Sequence, residues 1–457
     1  MKRLLAVFIN VFLITHFAQA TELFLIHGGT PDSPKSQMFD HDISEWIKLA
    51  QSKKWKLNIL HNLTKNHFYL RFQNTLNEYG DDHISLTSLQ GLELQEYFST
   101  KLNNIAKTSK KVLIIVLAHG VLKTKGQQMH SIQTYPLGTS YNIQSLDPLL
   151  NLAQKFNSLQ IALIDNSCYS GASIVYDAPL CIMTTSTKET VGFSGYDLST
   201  KYVRSSFSHL IPLKIFSSSN LSDAYLKARR DNKFILLPLI NNADYYELQN
   251  DFIIPLEDFV LFNSKMHQLL FEASSKSPKD FMQKAFTNAD KVRIFIQKNS
   301  SKIPPKTAQR FLNSLHLSLN YLKRYSDELI YLQNTSVQIL KIIHQLKIPS
   351  HLFIGDDIDQ FVIDLSLSEP WLPIKQPQLK SSEMQLKLSS LKTIQDLLGE
   401  DEIEKIQKSI RYIKHTSLEE SGVNANDIAQ SSLEIYHYMS QKISKGAPQP
   451  CDLFTLD

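Results

Sequence analysis

Two short stretches of the sequence carry residue types that can run nucleophilic chemistry. Val112-Leu113-Ile114-Ile115-Val116-Leu117 leads into Ala118-His119-Gly120, and Ile161-Ala162-Leu163-Ile164 leads into Asp165-Asn166-Ser167-Cys168-Tyr169-Ser170-Gly171. A free thiol with a pKa near ~8.5 is only a few per cent thiolate at neutral pH, so a nucleophilic cysteine benefits from a nearby base. His119 is the residue type that holds such a proton and later returns it to a leaving amine. Gly120 leaves its backbone N–H unobstructed. Together with the N–H of Cys168 it would make an oxyanion hole, an interaction worth ~10²–10³ in rate in other hydrolases. Small Ser170 and Gly171 let a substrate chain pass close to the thiol. The pattern points to acyl transfer, with Cys168 as nucleophile, His119 as acid and base, and Gly120 supporting the oxyanion.

This chemistry requires elements that bring His119 and Cys168 together. Both apolar runs lack polar alternation, as expected of strands buried on both faces of a parallel sheet. In such sheets the loops beyond the carboxyl ends line the binding crevice. The 49 positions from His119 to Cys168 leave room for a crossover helix. The surrounding sequence repeats this grammar. Leu23–Ile26, Leu57–Leu60 and Ile182–Thr185 read as further strands, while Ile43 to Ala50, Ser88 to Ala106 and Leu146 to Phe156 read as helices. Such alternation predicts an α/β domain over residues 21–254. From about Pro255 the apolar residues recur at three- and four-residue intervals, which predicts an all-helical domain over 255–457. Ser277-Pro278-Lys279-Asp280 reads as a helix start. Thr307 to Leu346 reads as one long helix, followed by helices near Ser382–Leu398, Asp401–Tyr412 and Asn426–Ile443.

With these residues in hand, the first half resembles the caspase-like superfamily of cysteine peptidases, which includes caspases, metacaspases, legumains, clostripains and gingipains. The resemblance rests on Leu117-Ala118-His119-Gly120 and on Asp165-Asn166-Ser167-Cys168-Tyr169-Ser170-Gly171. It is extended by Ile26-His27-Gly28-Gly29-Thr30-Pro31 with Asp40 and Asp42, and by Met183-Thr184-Thr185-Ser186 with Glu189. Ser206–Leu210 and Leu221–Tyr225 extend it further, so that it spans about residues 22–245. It implies a caspase-like sheet flanked by helices, a His119–Cys168 dyad, and a peptide or protein substrate with no cofactor. Members that cleave after basic residues or Asn generally carry an acidic residue two places before the cysteine. Asn166 stands there instead, with Asp165 one place earlier, so the floor of the substrate pocket departs from that pattern. Asp197 is a candidate replacement charge, with a turn residue in Gly195-Tyr196-Asp197 as the alternative. Thr190 matches a position where legumain-like enzymes often place a small hydroxyl.

Other readings compete with this one. His27-Gly28-Gly29 mimics the oxyanion motif of α/β-hydrolases, yet neither Ser167 nor Cys168 is flanked by the glycines of a G-x-S-x-G elbow. A catalytically inactive caspase-like domain serving in binding or assembly is the non-enzyme alternative. A metal enzyme is disfavoured, because His130, His209 and Asp356-Asp357-Ile358-Asp359 lack ligand spacing. The net charge of +4 and the absence of a Lys/Arg stripe interleaved with aromatics argue against nucleic acid as a partner. A composition of 42% hydrophobic and 20% charged residues excludes fibrous and wholly disordered chains.

Lys2-Arg3, the apolar run from Leu4 to Ile14 and Ala18-Gln19-Ala20 make a secretory signal peptide over residues 1–20, too short in its apolar part to span a bilayer. The expected mature protein is exported, periplasmic or extracellular, with no membrane span. An odd count of three cysteines, Cys168, Cys181 and Cys451, leaves at least one thiol unpaired. Legumain-like enzymes place a helical segment after the catalytic domain that covers the active site. By that resemblance of order, the helical half is expected to associate with the active site as an inhibitory or substrate-recruiting cap. A domain that only stabilises or binds a partner is the alternative. Asn299-Ser300-Ser301 and Pro370–Pro377 are the expected loops at which cleavage would release a cap.

Overall fold

A computed structural model describes residues 21–28, 39–63, 65–76, 84–89, 92–107, 110–121, 126–134, 142–188, 206–232, 238–259, 278–349, 381–415, 425–443 and 446–456. The expected signal peptide, Thr190, Asp197, Asp356–Asp359 and Pro370–Pro377 lie outside them. The chain divides into two units. The first comprises residues 1–257 together with His437–Asp457, and the second Asp258–Tyr436. The last twenty-one residues thus belong with the α/β half and not with the helical one, a boundary that differs from the expected 255–457 domain.

The first unit is built on a seven-stranded sheet in the order β10-β9-β8-β4-β1-β2-β3. Its strands are β1 (Thr21–His27), β2 (Lys56–His61), β3 (Ile84–Ser88), β4 (Lys111–Leu117), β8 (Gln160–Asp165), β9 (Cys181–Thr184) and β10 (Leu239–Ile240). All neighbouring pairs are parallel except β10 with β9. The expected α/β class and mostly parallel sheet are present. A second, antiparallel sheet is formed by β5 (His119–Val121), β6 (Ser131–Thr134) and β7 (Asn142–Ser145).

Alternation along the central strands explains the layers. Phe24, Ile26, Val112, Ile114, Val116, Ile161, Leu163 and Ile182 face one core. Leu94, Phe98 and Leu102 of helix Leu94–Ile105 pack there with Leu149, Leu150 and Ala153 of helix Asp147–Lys155. Their alternates Leu23, Leu25, Leu113, Ile115 and Ile164 are just as buried. Both faces are therefore covered, which is why these runs carry no polar alternation. Helices Asp40–Ser52 and Phe207–Phe216 pack against each other.

The C-terminal tail is part of this unit. Thr455 bridges Asn220, and the amides of Leu221 and Leu456 donate to the carbonyls of Phe454 and Ser219. Phe454 and Leu456 are buried, and Cys451 forms a disulfide with Cys181 of β9 across 270 positions of sequence.

In the second unit the described residues form helices Pro278–Lys298, Pro305–Gln345, Ser381–Leu398, Glu400–His415 and most of Ala425–Lys442. The 41-residue helix Pro305–Gln345 buries Phe311, Leu315, Leu322, Leu329, Leu332, Ile339 and Ile343. Its three- and four-residue spacing predicts this stripe except near the end, where Leu340, expected inside, is exposed and Ile339 takes the buried place. Among the described residues, no helix is long and apolar enough to cross a membrane.

Candidate active site

The site forms where two neighbouring strands of the sheet end. β4 and β8 are paired in parallel, with Val116 opposite Asp165, and the amide of Asn166 extends the ladder to the carbonyl of Val116 at 3.0 Å. Beyond Leu117 the chain passes at Ala118 from the large sheet into the small one. His119 opens β5 and pairs across to Gln133 of β6. β1 lies on the other side of β4, so the order of connection reverses between β1 and β4, and a crevice at carboxyl ends is expected at such a reversal.

His119 and Cys168 are both half-buried. The segments that carry them touch through Gly120. A β-carbon built there would meet the carbonyl oxygen, carbonyl carbon and amide nitrogen of Cys168 at 1.7, 2.7 and 3.0 Å. Only glycine admits this approach, since any side chain would overlap a backbone. The His119 ring meets Phe39 edge-on, with centroids 6.1 Å apart, and Phe39 meets His27 in the same way at the same distance. Phe39 is buried at the start of helix Asp40–Ser52, which ties the orientation of His119 to that helix.

Cys168 is the one cysteine of the three outside the disulfide, which joins the other two. It sits at a sharp turn: the next residue, Tyr169, has φ 61° and ψ 16°, a left-handed conformation that costs a non-glycine residue roughly 1–2 kcal/mol. A short 3₁₀ turn, Ser170–Ser173, follows. Gly171 backs onto the chain at Ser186 and Thr187, where a β-carbon would come within 2.6 Å of both. The hydroxyl of Ser186 accepts from the Ser170 amide at 3.1 Å and donates to the Ser167 carbonyl at 3.4 Å. The amides of Thr185 and Ser186 both reach the Ser170 hydroxyl at 3.3 Å. The Met183-Thr184-Thr185-Ser186 segment therefore buttresses the turn.

The two pocket candidates among the described residues turn inward. Asp165 is fully buried, with Oδ1 accepting from the amide of Ser167 at 3.1 Å and from its hydroxyl at 2.6 Å, and Oδ2 lying 3.4 Å from Nδ1 of His130. It is committed to the interior. Asn166 is also buried, and among the described residues neither atom of its amide meets a hydrogen-bond partner.

The His-Gly motif at the end of β1 has a different character. Both ring nitrogens of His27 are buried without a hydrogen-bond partner among the described residues, and burial, then the nearby charges of Arg71 and His61, push its pKa down to about 3. Its register partner His61 on β2 is pushed down to about 4, mainly by burial. The Gly28 amide donates to the Leu117 carbonyl at 3.0 Å, so it is not free to hold an oxyanion. Asp40 is bonded to Arg71 at 2.7 Å, and Asp42 is fully buried.

Sequence reasoning missed Phe39, weighed His130 only as a metal ligand, and did not see Ser167 and Ser173 as supports. Ser186 sat inside a motif already noted, but nothing local marked the others. No protein-family model matches the chain, and none of the curated proteins is significantly similar to it.

Proposed function

We propose that the protein is an exported caspase-like cysteine endopeptidase that hydrolyses peptide bonds through an acyl-enzyme on Cys168. The observation that carries this reading is the contact between Gly120 and the backbone of Cys168, which unites the His-Gly and cysteine segments at adjacent strand ends. In the proposed reaction, Sγ of Cys168 attacks the scissile carbonyl and its proton passes to His119. The amides of Gly120 and Cys168 receive the oxyanion, and His119 returns the proton to the departing amine. Water, deprotonated by His119, then releases the acid product and restores the thiol. The strained turn at Tyr169 supports the reading, because such backbone strain clusters at functional sites. The Cys181–Cys451 disulfide supports export, since disulfides persist in oxidising compartments.

The test is Cys168→Ala, assayed with a mixed fluorogenic peptide library that also reads the preferred residue before the cut. Turnover is expected to vanish while the fold survives, because Ala removes only the sulfur. Activity retained in the pure variant refutes the assignment. Failure of a thiol-reactive probe to label Cys168 in the reduced mature chain favours the inactive binding module. An inhibitory or recruiting role for the helical residues belongs to the same proposal. It is tested by replacing residues 258–436 with a short Gly/Ser linker, and unchanged peptidase activity refutes it.

A further inference from the structure

His130 is fully buried at the base of the Cys168 turn, and the dyad reading gives it no task. Its Nε2 lies 2.7 Å from Oγ of Ser167 and its Nδ1 lies 2.7 Å from Oγ of Ser173. The Ser167 hydroxyl donates to Asp165 at 2.6 Å, so its oxygen is left to accept from an Nε2–H. One imidazole therefore closes on both flanks of the turn, at the residue before Cys168 and at the last residue of the 3₁₀ turn after it. Asp165 completes the network from the end of β8.

The backbone following His130 does a second job. Ser131, Ile132 and Gln133 pair with Val121, Gly120 and His119. A single short segment, residues 130–134, thus grips the His119 strand through its main chain and the Cys168 turn through a side chain. The two halves of the site, which come from different strands, are referenced to one another through it.

We propose that His130 is a positioning residue that holds Cys168 in register with His119; this rests on the cysteine-peptidase reading above. The physical reason is steep: a misplacement of about 1 Å between reacting groups costs ~10²-fold in rate.

Three variants of the full mature chain test this. His130→Ala removes both anchors. His130→Gln keeps an N–H able to reach Ser167 but gives up Ser173, and Ser173→Ala leaves the ring and removes one anchor. The readouts are kcat per titrated active-site thiol, KM on a fluorogenic peptide, and the pH dependence of Cys168 alkylation by iodoacetamide. His130→Ala is expected to lose ~10²-fold in kcat per titrated thiol with KM nearly unchanged. The acid limb of its alkylation profile moves toward the ~8.5 of a free thiol. His130→Gln restores most of the loss, and Ser173→Ala falls between. A merely structural role lowers the titratable fraction and moves none of these readouts. Should His130→Ala fail to fold, the other two variants carry the same comparison. Unshifted kcat and superimposable alkylation profiles in both overturn the positioning role while the peptidase reading stands. A wild-type chain without peptidase activity overturns both together.

Discussion

A β-carbon placed on Gly120 would fall 1.7 Å from the carbonyl oxygen of Cys168, so the strand bearing His119 and the turn bearing the thiol meet with no side chain between them. Gly120→Ala must therefore push the two apart. Overpacking of this kind costs about 1–3 kcal/mol. The expected outcome is a lowered denaturation midpoint of that size together with near-complete loss of peptide turnover. Wild-type turnover in Gly120→Ala would show that the contact is dispensable to the chemistry.

Tyr169→Gly separates strain from stability. Glycine accepts the left-handed conformation without penalty, yet gives up more chain entropy on folding, about 0.5–1 kcal/mol. The two effects oppose, so denaturant unfolding should differ from wild type by no more than about 1 kcal/mol. If the strained turn holds the thiol in place, kcat falls while stability does not.

Acid stability should depend on His27 and His61. Both have folded pKa values below the 6.5 of the unfolded chain, at about 3 and about 4, because burial disfavours their charged forms. Between those values the unfolded chain binds more protons than the folded one, so stability falls as pH drops below 6.5. The loss levels off once the folded values are passed. Each group contributes up to about 1.4 kcal/mol per pH unit within its window. Urea unfolding at pH 7 and pH 5 should show a loss on the order of 3 kcal/mol, and His27→Gln should remove about half of the slope whatever its absolute stability. An unaltered slope in that variant would mean that His27 is not buried in its neutral form.

The C-terminal tail is expected to be indispensable to the α/β unit. Truncation after Glu257 deletes Cys451 and strips buried Phe454 and Leu456 from their sites. It also removes the acceptors that Lys53 and Lys111 find on Leu456 and Thr455. Cys451→Ser should cost about 2–5 kcal/mol. The truncated chain should be less stable still, read as a lower thermal midpoint or as insolubility. A truncated chain as stable as the full one would contradict the packing of the tail.

The parts of the fold that could be read from the sequence are those whose signal is local. β1, β4 and β8 are continuous apolar runs, and the helix Pro305–Gln345 repeats its apolar stripe over many turns. β3 carries no such signal, and the helix expected from Ser88 overlaps its end, because Ile84-Ser85-Leu86-Thr87-Ser88 is a half-buried edge with two apolar positions and the helix itself starts only at Leu94. The strands of the small sheet are three or four residues long and largely polar, too short for a period to register. At the site, the His-Gly and cysteine motifs stood at strand ends and were visible. His130 was not, since Ser167 and Ser173 lie 37 and 43 positions away and only folding brings them to its ring. The tail escaped notice for the same reason, its cysteine partner being 270 positions distant.

That disulfide changes what a proteolytic nick can achieve. Residues 258–436 leave the α/β unit at one end and re-enter it at the other, so they form an inserted loop of chain and not a free tail. A single cut at Asn299-Ser300-Ser301 would yield two fragments, one continuous with Glu257 and the other stapled to β9 through Cys451. Neither can diffuse away. On a non-reducing denaturing gel the nicked protein should still run as one covalent species, and it should part into two only when the disulfide is reduced. Liberation of the helical unit therefore requires two separate cuts, one on each side of it.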